Sequence, residues 1–394
     1  MSRSSFCLAL FFRFIHPSLL DLSLSALARS VLLSRSPKYL PLTIWIVDNS
    51  SSMSVPDGNR MVETATQNDV RVVPCTRWDE LKETVKYHAR MSALLEAPTK
   101  FILLNNPADG QYNCPQEMSI AERGPDWVQD DLDNFMTSFE NVRPYGVTPL
   151  SRHLRRVYQS IKHLSEKVVL VVATDGKPTD ASGFMTPAVD REFQQALRQV
   201  QSKAWVVLRL CTDDNSVIEY YNTLDEQMEL SIEVLDDYLD EAKEVYQHNP
   251  WLTYSLCLHR CREMGLSCHA FHRWLDWLDE RTLTRAEIFE ALQILGILES
   301  SNFPGTFLAD PKEWNEVCNL VARQQKSLSL QKSEWTGENL LAFTPWNPIR
   351  KRTTWWIDIR RLKRHGGKAW LSIHGILPIM LVIVALVVRL VWII

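Results

Sequence analysis

Six consecutive apolar residues, Val168–Ala173 (VVLVVA), constrain this chain more than any other stretch. A strand with no polar alternation has to be buried on both faces, which a parallel sheet covered by helices provides. The runs around it repeat the theme. Leu42–Val47 is a β-branched run with Trp45, Lys100–Asn105 reads KFILLN, Trp205–Cys211 follows, and Ser231–Leu235 is a weaker strand. Helical patterns lie between them. Residues 78–97 set Leu81, Val85, Ala89 and Leu95 on one side, and Thr76-x-x-Asp79 before them resembles a capping box. Residues 149–164 place Leu150, Leu154, Val157, Ile161 and Leu164 on one stripe, with Pro149 at the first turn. Arg191–Gln201 and Ser216–Glu229 are further helices. The alternation predicts an α/β fold, a doubly wound and mostly parallel sheet with helices on both faces. Ligands of such sheets bind beyond the carboxyl ends of the strands.

Three segments fall on that edge. Asp48-Asn49-Ser50-Ser51-Ser52 ends the first strand, Gly146-Val147-Thr148-Pro149 opens the 149–164 helix, and Thr174-Asp175-Gly176 ends VVLVVA. Their two carboxylates and three hydroxyls are hard oxygen donors, suited to Mg²⁺, Mn²⁺ or Ca²⁺ and poor for zinc. So few anionic ligands leave the ion with positive character and an open position for an incoming carboxylate.

Residues 38–240 resemble the von Willebrand factor A domain with its metal-ion-dependent adhesion site. The family pattern is D-x-S-x-S, a Thr in a later loop, and the Asp of a T-D-G turn. Asp48, Ser50, Ser52, Thr148 and Asp175 match it in order. The resemblance implies that Ser50, Ser52 and Thr148 ligate the metal through their hydroxyls. Asp48 and Asp175 would hold it directly or through water, and an Asp or Glu of a protein partner would complete the octahedron. Mg²⁺ is the expected cation, ahead of Mn²⁺ and Ca²⁺. Two departures stand out: Ser51 replaces a frequent Gly, and residues 54–77 form an extra loop before the helix, either a partner-selecting loop or a surface excursion.

The function this implies is metal-dependent protein binding without catalysis. A soluble scaffold subunit of a larger ATPase-type complex is the alternative, and a metal-dependent hydrolase the third reading. A phosphatase of the haloacid-dehalogenase type needs a second carboxylate two residues after Asp48, where Ser50 stands. The chain has no P-loop, G-x-S-x-G or H-E-x-x-H, and its 13 glycines in 394 residues are few for phosphate-cradling loops.

Charge separates the rest of the chain. Residues 350–368 carry eight basic groups against Asp358, a charge of +7, so the remainder holds −11 of the net −4. Residues 376–394 (ILPIMLVIVALVVRLVWII) are nineteen residues with Arg389 as their one charge, enough for a single transmembrane helix. The expected partner of the basic block is anionic lipid, with Trp355, Trp356 and Trp370 at the headgroups; nucleic acid is not expected. Basic residues on the domain side of the span favour a cytosolic body. So does Asn49-Ser50-Ser51, the one N-x-[ST] sequon, because a glycan there would obstruct the motif. The domains expected are therefore 1–37, a leader that is either a targeting signal or a disordered segment; 38–240, the sheet domain; 241–345, a helical extension; 346–375, a basic, Trp-rich juxtamembrane segment; and 376–394, the span. Nine acids against Lys243 in residues 225–244 read as a solvated face. The eight cysteines form no C-x-x-C pair. Cys257, His259, Cys261, Cys268, His269 and His272 offer zinc ligands, but Cys257 and Cys261 four apart on an apolar helical pattern are explained by packing.

Overall fold

The computed structural model describes residues 41–63, 70–107, 114–228, 232–268, 270–295, 297–298, 310–330 and 345–365. In chain order the elements are β1 (Thr43–Val47), β2 (Gly58–Glu63), β3 (Val70–Cys75), α1 (Arg77–Leu94), β4 (Thr99–Leu103), β5 (Glu117–Ile120), α2 (Val128–Glu140) and α3 (Leu150–Ile161). Then come β6 (Val168–Thr174), α4 (Pro187–Gln201), β7 (Ala204–Leu210), α5 (Asn215–Met228), β8 (Ile232–Leu235), α6 (Tyr238–His248), α7 (Leu256–Glu263) and α8 (Trp277–Glu280). The last are α9 (Arg285–Ile294), α10 (Pro311–Leu330), β9 (Trp346–Asn347), β10 (Arg352–Thr353) and α11 (Ile359–Arg364).

Six strands form one sheet in the order β5-β4-β1-β6-β7-β8, parallel except that β5 runs against β4. All seven residues of β6 are buried, as the apolar run requires. Successive side chains of each strand serve opposite layers. Ile44, Ile46, Leu170, Val172 and Leu208 pack on Leu154 and Val157 of α3, Phe193 and Leu197 of α4, and Tyr221 of α5. Trp45, Val47, Val169, Val171 and Val207 face the other way, the layer of Trp78, Leu81 and Val85 of α1 and Phe135 and Phe139 of α2. The α/β expectation holds. The chain runs from β1 to β4 on one side and returns to β6 on the other, so the carboxyl ends of β1 and β6 flank the switch point where ligands of such sheets sit.

Several expectations change. Residues 54–77 are not an extra loop: β2 and β3 pair as an antiparallel hairpin from Gly58↔Cys75 to Glu63↔Val70. Pro74 fits because a two-stranded ribbon leaves an outward-facing edge that needs no donor. The acidic run 225–244 is not wholly a solvated face either. Glu233 and Glu241 are buried and accept from Arg262 Nε at 2.8 Å and Nη1 at 2.6 Å. The expected boundary at 240/241 falls inside α6.

A third core gathers Trp251, Leu258, Leu278, Leu292, Trp314 and Val321 with Trp356 and Leu362. Residues 346–365 of the expected juxtamembrane segment 346–375 contribute to it, while 366–375, with Trp370, lie outside the described residues. Gln325 and Ile357 exchange hydrogen bonds of 3.2 and 2.9 Å, and Trp314 Nε1 donates to Leu362 O at 3.2 Å. Apolar contact outweighs a headgroup location for Trp356, whereas Trp355 remains exposed. Among the described residues no helix is long and apolar enough to cross a membrane. The leader 1–37 and the segment 376–394 lie outside the described residues.

Candidate functional site at the carboxyl edge of the sheet

The site starts from strand ends. Asp48 N donates to Ala173 O at 2.9 Å, extending the β1–β6 pairing by one residue and fixing Asp48 over the sheet edge. Its Oδ1 accepts from Ser50 N at 2.7 Å, a local turn of the kind Asp side chains make, and its Oδ2 accepts from Thr174 Oγ1 at 2.6 Å. Residues 51–54 then coil into a single 3₁₀ turn anchored by buried Met53. The turn sets Ser50 Oγ and Ser52 Oγ 3.0 Å apart, and Ser52 Oγ donates to Asp175 Oδ1 at 2.8 Å.

The loop before α3 is strapped to both neighbours. Ser51 N donates to Gly146 O at 3.2 Å, and Tyr145 N to Asn49 O at 2.7 Å. Asn105 links the set: its N donates to Asn49 Oδ1 at 2.7 Å, and its Nδ2 to Val147 O at 2.8 Å. Gly146 has φ +84°, and a Cβ there would stand 2.6 Å from Asn105 Oδ1, so glycine is required. Thr148 N donates to Thr179 Oγ1 at 3.0 Å, and Thr179 N returns a bond to Thr148 O at 2.9 Å. Thr148 Oγ1 lies 3.8 Å from where a Cβ on Gly176 would be, beside the Asp175 turn. Asp48, Ser50, Ser52 and Asp175 thus form one hydrogen-bonded chain, with Thr148 at its flank.

Electrostatics give this cluster a need for positive charge. Burial, and then the charge of Asp175, push the Asp48 carboxyl up to about 7. Burial also raises Asp175, opposed by Arg77 and Ser52. The donor set fits a hard cation: every donor is oxygen, and two are potential anions. Adjacent vertices of an octahedron with oxygen at about 2.1 Å are about 3.0 Å apart, matching the Ser50–Ser52 and Ser52–Asp175 spacings.

Sequence reasoning missed the residues that support these donors. Arg77 Nη1 donates to Asp175 Oδ2 at 2.9 Å, across 98 positions, and its Nε to Asp57 Oδ1 at 2.7 Å. Thr174 was visible inside the T-D-G turn; nothing local marks Arg77 or Asn105.

Of the zinc candidates, Cys257 and Cys261 are packed in the apolar core with α7. His259 Nδ1 meets Tyr254 OH at 3.2 Å. His269 and the side chains of Cys268 and His272 lie outside the described residues. Two carboxylate groups also converge, Asp213–Asp237–Asp240 and Glu241–Glu244–Asp279, and Arg262 answers part of the second through Glu241 and Asp279.

No protein-family model matches the chain, and no curated protein does. Among solved structures it is similar to the pilus adhesin SpaC from Lactobacillus rhamnosus GG, at 13% identity and a TM-score of 0.33. That match covers 50% of this chain and 28% of the adhesin's, so the chain spans less than a third of its length.

Proposed function

We propose that the sheet domain is a von Willebrand factor A-type module that binds a protein partner through a divalent cation. Asp48, Ser50, Ser52, Thr148 and Asp175 hold the ion, with Mg²⁺ preferred over Mn²⁺ and Ca²⁺. When bound, the ion supplies a Lewis-acidic position that takes an Asp or Glu carboxylate of the partner. One observation carries this reading: two loops bring Asp48, Ser50, Ser52 and Asp175 into one hydrogen-bonded chain of oxygen donors at the β1/β6 switch point, and a third sets Thr148 beside it.

The surroundings support binding over catalysis. Phe184 is 67% exposed and Met185 37%, on the loop that follows Asp175. Gly183 of that loop approaches Val147, so the apolar pair stands near the Thr148 strap and offers contact surface beside the charge. A hydrolase with Asp48 as nucleophile is disfavoured, since Ser50 stands where such enzymes need a second carboxylate.

The proposal extends to the chain's location. Residues 376–394 anchor it in a membrane as a single span, with the sheet domain on the cytosolic side. Lys351, Arg352, Arg360 and Arg364 are exposed and available to anionic lipid. Deleting residues 376–394 separates this from a soluble scaffold subunit: release from membranes supports the anchor, and an unchanged soluble distribution sinks it.

The site is tested by titrating the full chain with Mn²⁺ in a calorimeter. One ion is expected, with about tenfold or greater loss of affinity in Asp48→Ala and Thr148→Ala. Absence of uptake by the unsubstituted chain would overturn the proposal.

A further inference from the structure

Arg77 stands at the start of α1, and its guanidinium serves two carboxylates at once. Nη1 donates to Asp175, while Nε and Nη2 donate to the two oxygens of Asp57 at 2.7 and 2.5 Å. The Arg77 side chain is 11% exposed, that of Asp175 0% and that of Asp57 34%. A cation carried by the chain itself therefore already neutralises one of the two carboxylates assigned to the divalent ion. The remaining oxygen of Asp175 accepts from Ser52, so both its oxygens are engaged. A second positive charge arriving among Ser50, Ser52 and Asp175 meets the first at short range, where little water screens them.

Asp57 acts in the opposite sense. Its carboxylate faces the same guanidinium and offsets the charge that the incoming ion would feel. It also belongs to the hairpin, immediately before β2. That foot is joined tightly to α1: Arg77 N donates to Val55 O at 3.0 Å and Asn59 N to Glu80 Oε2 at 2.9 Å. A Cβ on Gly58 would meet Thr76 O at 2.8 Å.

We infer that Arg77 is an internal competitor of the divalent cation, and that Asp57 sets how strongly it competes. This rests on the proposed cation site. Pulling the hairpin foot away from α1 removes Asp57, leaves Arg77 to Asp175 alone, and weakens the ion. Linkage makes the relation reciprocal, so the bound ion loosens the Arg77–Asp175 contact and biases the hairpin. The β2–β3 hairpin thereby becomes a surface through which affinity at the cation is regulated.

The test titrates the full chain with Mn²⁺ alone and follows thermal melting with and without saturating Mn²⁺, which also reports whether each variant folds. R77Q, which keeps a neutral donor, is expected to bind Mn²⁺ about fivefold tighter or more, and R77K, which keeps the charge, within about twofold of the unsubstituted chain. D57N leaves the guanidinium uncompensated and is expected to bind about threefold weaker or more. The melting shift on Mn²⁺ addition is expected to be larger in R77Q than in the unsubstituted chain. R77Q at unchanged or lower affinity overturns the inference while leaving the cation site standing. R77K as tight as R77Q overturns it too, by assigning the effect to hydrogen-bond geometry. An unsubstituted chain that takes up no Mn²⁺ overturns both this inference and the site beneath it.

Discussion

Asp48 sets the pH behaviour of the site. Its carboxyl titrates near 7 in the fold against an ordinary value of 3.8, because burial and the neighbouring Asp175 disfavour its charge. The folded chain keeps this proton over a range in which the unfolded chain has released it. Raising the pH from 3.8 to about 7 therefore removes stability from the metal-free fold. A cation reverses the preference, since it needs the ionised carboxylate. Mg²⁺ should raise the melting temperature more at about pH 8 than at about pH 5, and Asp48→Asn should abolish the difference. Equal gains for the unsubstituted chain at both pH values in scanning calorimetry would remove Asp48 from the ligand set. Gly146 tests the loop that carries Thr148. Gly146→Ala combines a φ of +84° with a Cβ 2.6 Å from Asn105 Oδ1, and should cost about 1–3 kcal/mol in denaturant unfolding. The proposed donors stand in short motifs visible in the sequence, Asp48, Ser50, Ser52 and Asp175 after apolar runs and Thr148 ahead of the α3 stripe. Arg77 was not legible, because its role depends on a contact 98 positions away.

Elements were legible where hydrophobic pattern and length agree. The runs around β1, β4, β6 and β7 have no competing period, and the stripe of α3 repeats through Leu150, Leu154, Val157 and Ile161. The hairpin escaped because Pro56-Asp57-Gly58 reads as turn chemistry and Pro74 argues against a strand. β5 is only four residues long, and α2 mixes its apolar Phe135 and Phe139 with three aspartates. One local signal carried through to atoms: Asp79 N donates to Thr76 Oγ1 at 3.0 Å, capping α1. Thr76→Ala should cost about 1 kcal/mol, read as a lower denaturant midpoint at unchanged slope. A change in slope would instead mean that the cap organises more than its own helix, namely the hairpin foot beside it.

Glu263 decides whether the molecule is one cooperative unit or a sheet domain with an appendage. It ends α7, is wholly buried, and gathers groups from both parts. His88 Nε2 of α1 reaches Glu263 Oε2 at 2.8 Å, and Arg209 Nε of β7 reaches Oε1 at 3.4 Å. Arg260 Nη1 of α7 donates to both oxygens, at 3.0 and 2.7 Å. Burial works to raise the Glu263 carboxyl, yet Arg260 and the two histidines hold it well below the usual range. Burial lowers His88 and His259, so the charge of Glu263 is answered by the arginines. Immediately afterwards Gly265 turns with φ +70° against the sheet, where a Cβ would lie 2.7 Å from Val169 Cγ1. The segment after α7 therefore covers Val169 and the Trp45 end of the sheet as well. A fragment of residues 38–240 loses Glu263 and Arg260, leaves Arg209 with Glu80 alone among these partners, and opens that apolar face to water. It should not show the cooperative melting of the full chain. Glu263→Gln in the full chain removes one partner of a buried charge network and should cost about 3–5 kcal/mol, shifting a single transition without splitting it. A fragment that melts cooperatively at the full chain's temperature would make the helical layer a separable appendage, and the bond between Arg209 and Glu263 would then be dispensable to the sheet.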